Sequence, residues 1–191
     1  MTAGSGLIHA EVSSDEFKIN GGPLEILQLW VNLPVKSKMT QPTYVGLQQE
    51  DIPTTQWNEG MVTAQVISGT WNGVAGPVKP LTDIHLARID FKAGGKHNFL
   101  VEPGKTIFLY VVKGQLMING EQTSMHHLVE FNQDGKTIEM KANTDSMILF
   151  GHATPYHEPF VAMGPFVMNT QQEIMQAYDD YNLGKFGSEK L

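Results

Sequence analysis

Three observations predict an all-β fold for this chain of 191 residues. Short runs of β-branched, aromatic and aliphatic residues are punctuated throughout by glycine and proline, nineteen and ten of them. Leu27, Leu29, Val31 and Leu33 alternate with Gln28, Trp30 and Asn32, the period of a strand with one buried face. Asn119-Gly120 and Asp134-Gly135 stand between such runs as hairpin-turn signals.

In chain order, Gly4 and Gly6 predict a turn, because glycine adopts positive φ without steric cost, and Leu7-Ile8-His9-Ala10-Glu11 reads as short and extended. The half-buried strand 27–33 follows. Residues 34–53 are polar, proline-punctuated and without periodicity, so they read as a crossing between domains. Further strands are expected over 62–67, 83–91, 107–112, 115–118, 128–131, 137–142 and 146–150. One helix is predicted: Thr170 can cap it, Glu173 completes a capping box, and Ile174, Ala177, Tyr178 and Tyr181 share one face before Gly184 ends it. It reads as a packing helix.

Length limits the chain to one large or two small domains, and 41% apolar residues with mean hydropathy −0.20 are ordinary for a globular chain. The longest strongly apolar run, 107–112, is far too short to span a bilayer, and no basic region with an apolar signal core precedes Lys18. A cytoplasmic location is expected, the nucleus included for a eukaryotic chain. The absence of cysteine excludes a disulfide framework, thiolate catalysis and zinc ribbons. A formal charge of −7 opposes direct nucleic-acid binding, which rests on lysine and arginine neutralising phosphates.

The candidate chemistry begins at His9 and Glu11. Two residues apart on an extended segment, an imidazole and a carboxylate point the same way and can serve as ligands for iron, manganese or zinc. On spacing alone, a surface or partly buried polar pair on a strand is the more common outcome. The other six histidines read as structural or surface groups. His97 is followed by Phe99 rather than a second histidine; adjacent His126 and His127 would face opposite sides of a strand; His152 and His157 flank Pro155-Tyr156 in a loop; His85, between Ile84 and Leu86, reads as a hydrogen-bonded strand residue. Gly94-Gly95-Lys96 lacks the spacing of a phosphate-binding loop, and no Gly-x-Ser-x-Gly elbow occurs. The ten methionines are spread evenly, as gap-fillers of β cores would be.

Longer segments carry a resemblance. Gly6-Leu7-Ile8-His9-Ala10-Glu11, Gly21-Gly22-Pro23-Leu24, Gln28-Leu29-Trp30-Val31-Asn32-Leu33-Pro34, Lys38-Met39, Tyr44, Glu158-Pro159 and Gly164-Pro165-Phe166-Val167-Met168-Asn169-Thr170 together resemble the pirin family, over essentially the whole chain. The resemblance implies tandem cupin barrels (double-stranded β-helix or jelly-roll), the first incomplete here, with a C-terminal helix. It places a remnant of the first domain at 1–45, a linker at 46–60, the second cupin domain at 61–157 and a C-terminal segment at 158–191, its helix at about 171–183.

The family holds one metal, usually Fe(II), on a His-x-His pair together with the histidine and glutamate that match His9 and Glu11. This sequence contains no His-x-His, and in the second barrel Leu100 and Glu102 stand where such ligands would. The resemblance therefore implies an iron-dependent, quercetin 2,3-dioxygenase-like oxidoreductase acting on a flavonol-like small molecule. His9 would be a neutral nitrogen ligand, and Glu11 an anionic ligand and the base that takes the substrate hydroxyl proton. Half of the ligand set would bind metal loosely. The alternative implied by the family is a non-catalytic regulatory module that contacts a protein partner, a transcription cofactor or a metabolic enzyme. An opened first barrel leaves strand edges and apolar surface uncovered, so a homodimer or strand exchange through that domain is expected.

Overall fold

A computed structural model describes residues 1–187, and the last four positions of the segment expected over 158–191 lie outside the described residues. The chain divides into two compact units, Met1–Tyr44 with Tyr156–Leu191, and Val45–Pro155.

The strands of the Val45–Pro155 unit begin with β1 (Thr54–Trp57), β2 (Val62–Ser68), β3 (Thr70–Trp71), β4 (Val74–Ala75), β5 (His85–Phe91) and β6 (Lys96–Leu100). They continue with β7 (Thr106–Lys113), β8 (Gln115–Ile118), β9 (Glu121–Ser124), β10 (Leu128–Val129), β11 (Thr137–Ala142) and β12 (Ser146–Ala153). A six-stranded sheet in the order β1-β2-β5-β12-β7-β10 and a four-stranded sheet in the order β6-β11-β8-β9 enclose one core, and β3 and β4 form a small hairpin. Period-two patterning explains the arrangement. Val62, Ala64 and Val66 of β2 are buried alternately with Thr63, Gln65 and Ile67, and they meet Ala87, Ile89 and Phe91, Leu109 and Val111, and Ile148 and Phe150 of the same sheet. Phe99, Leu116, Ile118, Ile138, Met140 and Ala142 close the core from the other sheet.

The all-β expectation and most of the predicted strands are observed. Asn119 (φ 48°) and Gly120 (φ 84°) join Ile118 to Glu121 in the two-residue turn predicted. Asp134-Gly135 is not a hairpin turn: neither residue has positive φ, and the flanking strands are committed elsewhere, β10 to β7 and β11 to β6 and β8. The strand expected over 128–131 contracts to Leu128–Val129. Thr54–Trp57, inside the stretch read as a linker, is an edge strand paired with β2. His126 and His127 lie in a turn, His126 at φ 68°, where the opposite-faces argument for strands does not apply.

β12 runs further than predicted, and its extension carries His152 out of the expected loop and opposite His85 on β5. The two rings stack at 4.6 Å and 17°, with Trp71 5.6 Å from His152. His85 Nδ1 accepts a long bond of 3.4 Å from Thr70 N–H, and its ring fills the space that a Cβ on Gly69 (φ +71°) would need, 2.4 Å away. Close by, Asp83 accepts from Lys105 Nζ, from Thr154 Oγ1 at 2.6 Å and from Thr154 N–H at 3.1 Å, and the lysine hydrogen bond holds its carboxyl well below the usual range. Among the described residues His152 Nδ1 has no hydrogen-bond partner. Burial, reinforced by His85 and Lys105 and opposed by Asp83, pushes the His152 pKa down to about 4.

The other unit contains α1 (Asp15–Asn20), α2 (Val35–Lys38), the hairpin of β13 (Val161–Met163) and β14 (Phe166–Met168), and α3 (Gln171–Asn182). The predicted helix is α3: Thr170 Oγ1 accepts from Glu173 N–H at 3.2 Å, Glu173 Oε2 accepts from Thr170 N–H at 2.8 Å, and Ile174 is fully buried. Phe166 packs edge-on against Tyr178 at 4.9 Å. The two short helices were not anticipated. Ser14 caps α1, accepting from Phe17 N–H at 3.2 Å ahead of an acidic first turn, and α2 follows Pro34 within the stretch read as irregular.

The strand expected over 27–33 is absent, and Leu27, Trp30 and Val31 are 47%, 61% and 47% exposed. Alternation supplies a suitable face, but a strand also needs a neighbour, and among the described residues none pairs with this segment.

The interior of this unit is polar. Lys38 is only 6% exposed and donates to Asn32 Oδ1. Burial lowers its pKa, while Glu158 and Glu173 pull it back up. Glu158 also accepts from Val35 N–H at 2.7 Å, Glu173 from Asn169 N–H at 3.0 Å, and Asn169 Nδ2 donates to the Pro159 carbonyl at 2.7 Å.

Replacing Lys38 by Met leaves Asn32 without its donor and two carboxylates without their cation, and should destabilise this unit by about 2–3 kcal/mol. Lost hydrogen-exchange protection in α3, with β5 and β12 unaffected, is the expected result. His152 gives a pH signature. Its folded pKa of about 4 lies below the ordinary 6.5, so the unfolded chain takes the proton first. The stability this neutral ring confers is complete above pH 6.5 and is lost as pH falls toward 4, on the order of 2 kcal/mol once solvent screening of a half-buried ring is allowed for. His152→Phe should flatten that slope in denaturant titrations at pH 7 and pH 4.5.

Candidate functional site

The site is built on the turn that opens the chain. Gly4 and Gly6 both take positive φ, +52° and +124°, and a Cβ on Gly6 would fall 2.2 Å from the ring of Phe186. Gly6 N–H donates to the Ala3 carbonyl and Ser5 N–H to the Thr40 carbonyl, each at 2.9 Å, while Thr2 and Thr43 exchange backbone bonds of 2.8 and 3.0 Å. The turn is thus stapled to residues 40–43, and the segment leading to His9 and Glu11 leaves it in a fixed direction.

The segment Leu7 to Glu11 is not part of a ladder. Its two candidate ligands come together nonetheless: His9 Nε2 lies 4.0 Å from Glu11 Oε1, with both side chains partly open to solvent. Gln28, from the segment read as a strand, donates through Nε2 to Glu11 Oε1 at 3.3 Å and Oε2 at 3.4 Å. A carboxylate held by an amide from another part of the chain has fewer orientations to lose when it binds a cation. Gln28 stood inside a quoted motif, but nothing in the sequence pointed its amide at a residue seventeen positions away.

The donor set is a neutral nitrogen and an anionic oxygen. With bonds of about 2.1 Å, neighbouring positions of an octahedral or tetrahedral shell lie about 3.0–3.4 Å apart, so the pair at 4.0 Å supplies the right donor types and takes two such positions once the exposed side chains close by about 1 Å or less. Among the described residues no cluster of three or more His, Asp and Glu side chains is placed to hold a metal. Four of the six remaining histidines have other contacts. His85 and His152 stack on each other, His97 stacks on Trp57 at 4.7 Å and burial lowers its pKa, and His127 Nδ1 accepts from Ser124 N–H at 3.3 Å. Leu100 and Glu102, at the positions matching a second ligand motif, are exposed at and beyond the end of β6. No helix among the described residues is long and apolar enough to cross a membrane.

Comparison with known proteins gives the same answer as the motifs. The pirin C-terminal cupin domain family matches residues 86–187. Pirin-1 of Arabidopsis thaliana is 37% identical over 195 residues, covering 99% of this chain and 65% of its own length. Human pirin is 34% identical over 195 residues, covering 100% of this chain and 65% of its own length. Among solved structures, a quercetin 2,3-dioxygenase from Acinetobacter baumannii superposes with a TM-score of 0.79 at 32% identity, over 83% of this chain and 56% of that one. The chain therefore spans about two thirds of the length of these curated relatives. With a family match over more than half its residues and a cupin sandwich in its second unit, the chain belongs to the pirin family.

Proposed function

We propose that this chain takes part in metal-dependent oxidation of a flavonol-like substrate, of the quercetin 2,3-dioxygenase class, and contributes His9 and Glu11 to the metal site. The observation that carries the reading is the 4.0 Å approach of His9 Nε2 to Glu11 Oε1, with Gln28 steadying the carboxylate. The solved relative named as a quercetin 2,3-dioxygenase supports the substrate class.

Bound iron would supply the redox chemistry through which a flavonol and dioxygen react. The chain's own part is to present donors and to manage a proton. His9 offers Nε2 as a neutral donor. Glu11 offers a carboxylate whose two oxygens can divide their work, one toward a cation and one toward an acidic hydroxyl of the substrate. Gln28 is the positioning residue, because its amide can follow either oxygen without taking a proton from them.

Two donors hold a divalent ion weakly, since water fills the other positions and exchanges freely. The 191-residue chain, which contains no His-x-His, should therefore bind Fe²⁺ or its spectroscopic substitute Co²⁺ reversibly, without the tight stoichiometric retention of a four-ligand site. Anaerobic titration against a chromophoric chelator reads this directly. His9→Ala should abolish the measurable affinity, and Gln28→Ala should lower it about tenfold. Affinity untouched by both substitutions would show that any metal goes elsewhere. Quercetin turnover is then measured only on preparations whose metal content follows His9.

A further inference from the structure

A glycine three residues before a candidate ligand is a hinge unless something closes it. Gly6 has φ +124°, a region other residues rarely enter, and without a side chain it can pivot in both dihedrals. The bonds from Gly6 N–H to the Ala3 carbonyl and from Ser5 N–H to the Thr40 carbonyl fix the chain up to the amide of Gly6 and leave its ψ free. The segment that follows, through His9 to Glu11, is not part of a ladder. A rotation at Gly6 therefore swings His9 through an arc with a radius on the order of 10 Å, the reach of three extended residues.

The ring of Phe186 occupies the space in which that hinge would turn. A Cβ on Gly6 would fall 2.2, 2.4 and 2.7 Å from its Cδ1, Cε1 and Cγ atoms, so the ring lies where the side chain of any other residue would stand. Two further rings hold it: Phe166 at 6.0 Å and 65°, and Tyr181 at 6.2 Å and 50°. The turn that carries Phe186 is tied to α3. Leu183 N–H donates to the Asp179 carbonyl at 3.0 Å, Gly184 N–H to the Tyr181 carbonyl at 2.9 Å and Lys185 N–H to the Asp180 carbonyl at 3.0 Å. Lys185 Nζ adds a bond of 2.7 Å to Asp180 Oδ1.

We propose that Phe186 is a positioning residue for His9 and Glu11, acting through Gly6: its ring stops the hinge, so the pair is presented in one direction. Both partners are needed. A side chain at position 6 would displace the ring, and a smaller residue at position 186 would release the glycine. The consequence for metal binding rests on the function proposed above, whereas the order of the segment does not.

The test uses the whole chain, first metal-free and then with Co²⁺ as the probe. Backbone ¹⁵N relaxation of the metal-free protein should place amides 7–11 in the rigid range, with order parameters of about 0.85, and Phe186→Ala should lower them below about 0.6. Hydrogen-exchange protection in α3, β5 and β12 should stay as in the wild type, which separates positioning from folding. Phe186→Tyr keeps the ring and should restore the wild-type values. Freeing one glycine and fixing it again when metal binds corresponds to about tenfold in affinity. His9-dependent Co²⁺ binding should weaken by that factor in Phe186→Ala and recover in Phe186→Tyr. Gly6→Ala, which drives a Cβ into the ring, should weaken it too, and adding Phe186→Ala to that variant should weaken it little further. Order parameters unchanged in Phe186→Ala, a wild-type segment that is already mobile, or fully additive losses in the double variant would each overturn the assignment. So would disorder that arrives together with lost protection in α3, because Phe186 would then support the fold rather than the ligands. Co²⁺ binding that ignores His9 in the wild type would instead sink the function proposed above, and the metal-free relaxation would alone decide the role of Phe186.

Discussion

The unit formed by Met1–Tyr44 and Tyr156–Leu191 depends on Lys38, a cation taken out of water in a part of the chain with little sheet to satisfy its polar groups. Burying an ammonium is costly unless hydrogen bonds and opposite charges replace its hydration. Here Asn32 accepts from it, and Glu158 and Glu173 lie close enough to oppose the effect of burial on its pKa. Both carboxylates are committed in turn: Glu158 to the first amide of α2, and Glu173 to the capping box of α3 and to the N–H of Asn169, whose side chain donates to the Pro159 carbonyl. One buried charge thus fixes where α2, the chain before β13 and the start of α3 meet.

The Val45–Pro155 unit is organised by the opposite physics. Its two sheets satisfy backbone groups internally, and its core is aliphatic and aromatic, so most of its polar residues lie on the outward faces of the strands and in the turns. The stacked pair His85 and His152 shows the limit of that arrangement. Facing each other across β5 and β12 beside Trp71, the rings behave as aromatic filling, and desolvation keeps His152 neutral. Two rings stacked face to face on each other present, among the described residues, no third carboxylate or imidazole with which to share an ion. This is a physical reason why the histidines of this unit form no metal cluster among the described residues.

What the sequence disclosed follows the same division. Strands of the Val45–Pro155 unit were legible because each is paired on a ladder and buried on one face, so period two records its environment, as in β2 and β11. The same alternation over 27–33 misled, since periodicity reports a strand's faces and not whether a neighbour exists. α3 was legible through its capping box, a local contact. α1 and α2 were missed because six and four residues are too few for a helical period. His152 was misplaced by the nearby Pro155, which lies two residues beyond the end of β12 at Ala153. At the candidate site, the pairing of His9 with Glu11 needed only a spacing of two and was readable, whereas the bond from Gln28 is tertiary and left no local trace. The members of the Lys38 network stand far apart in sequence, at Asn32, Lys38, Glu158 and Glu173, and only the fold brings them together.

Gln28 lies within the exposed apolar segment 27–33, and its side chain reaches back to Glu11. Fixing the backbone at 26–32 would restrict the arc through which the Gln28 amide moves, and with it the orientations open to Glu11. Conversely, a cation held by His9 and Glu11 would draw that carboxylate to one position and favour a single placement of Gln28. Ordering at either place therefore lowers the conformational cost at the other, and by linkage the coupling has the same size in both directions. Its carrier is one amide side chain with two bonds longer than 3.2 Å, which sets the scale of the coupling at a fraction of a hydrogen bond rather than that of a switch.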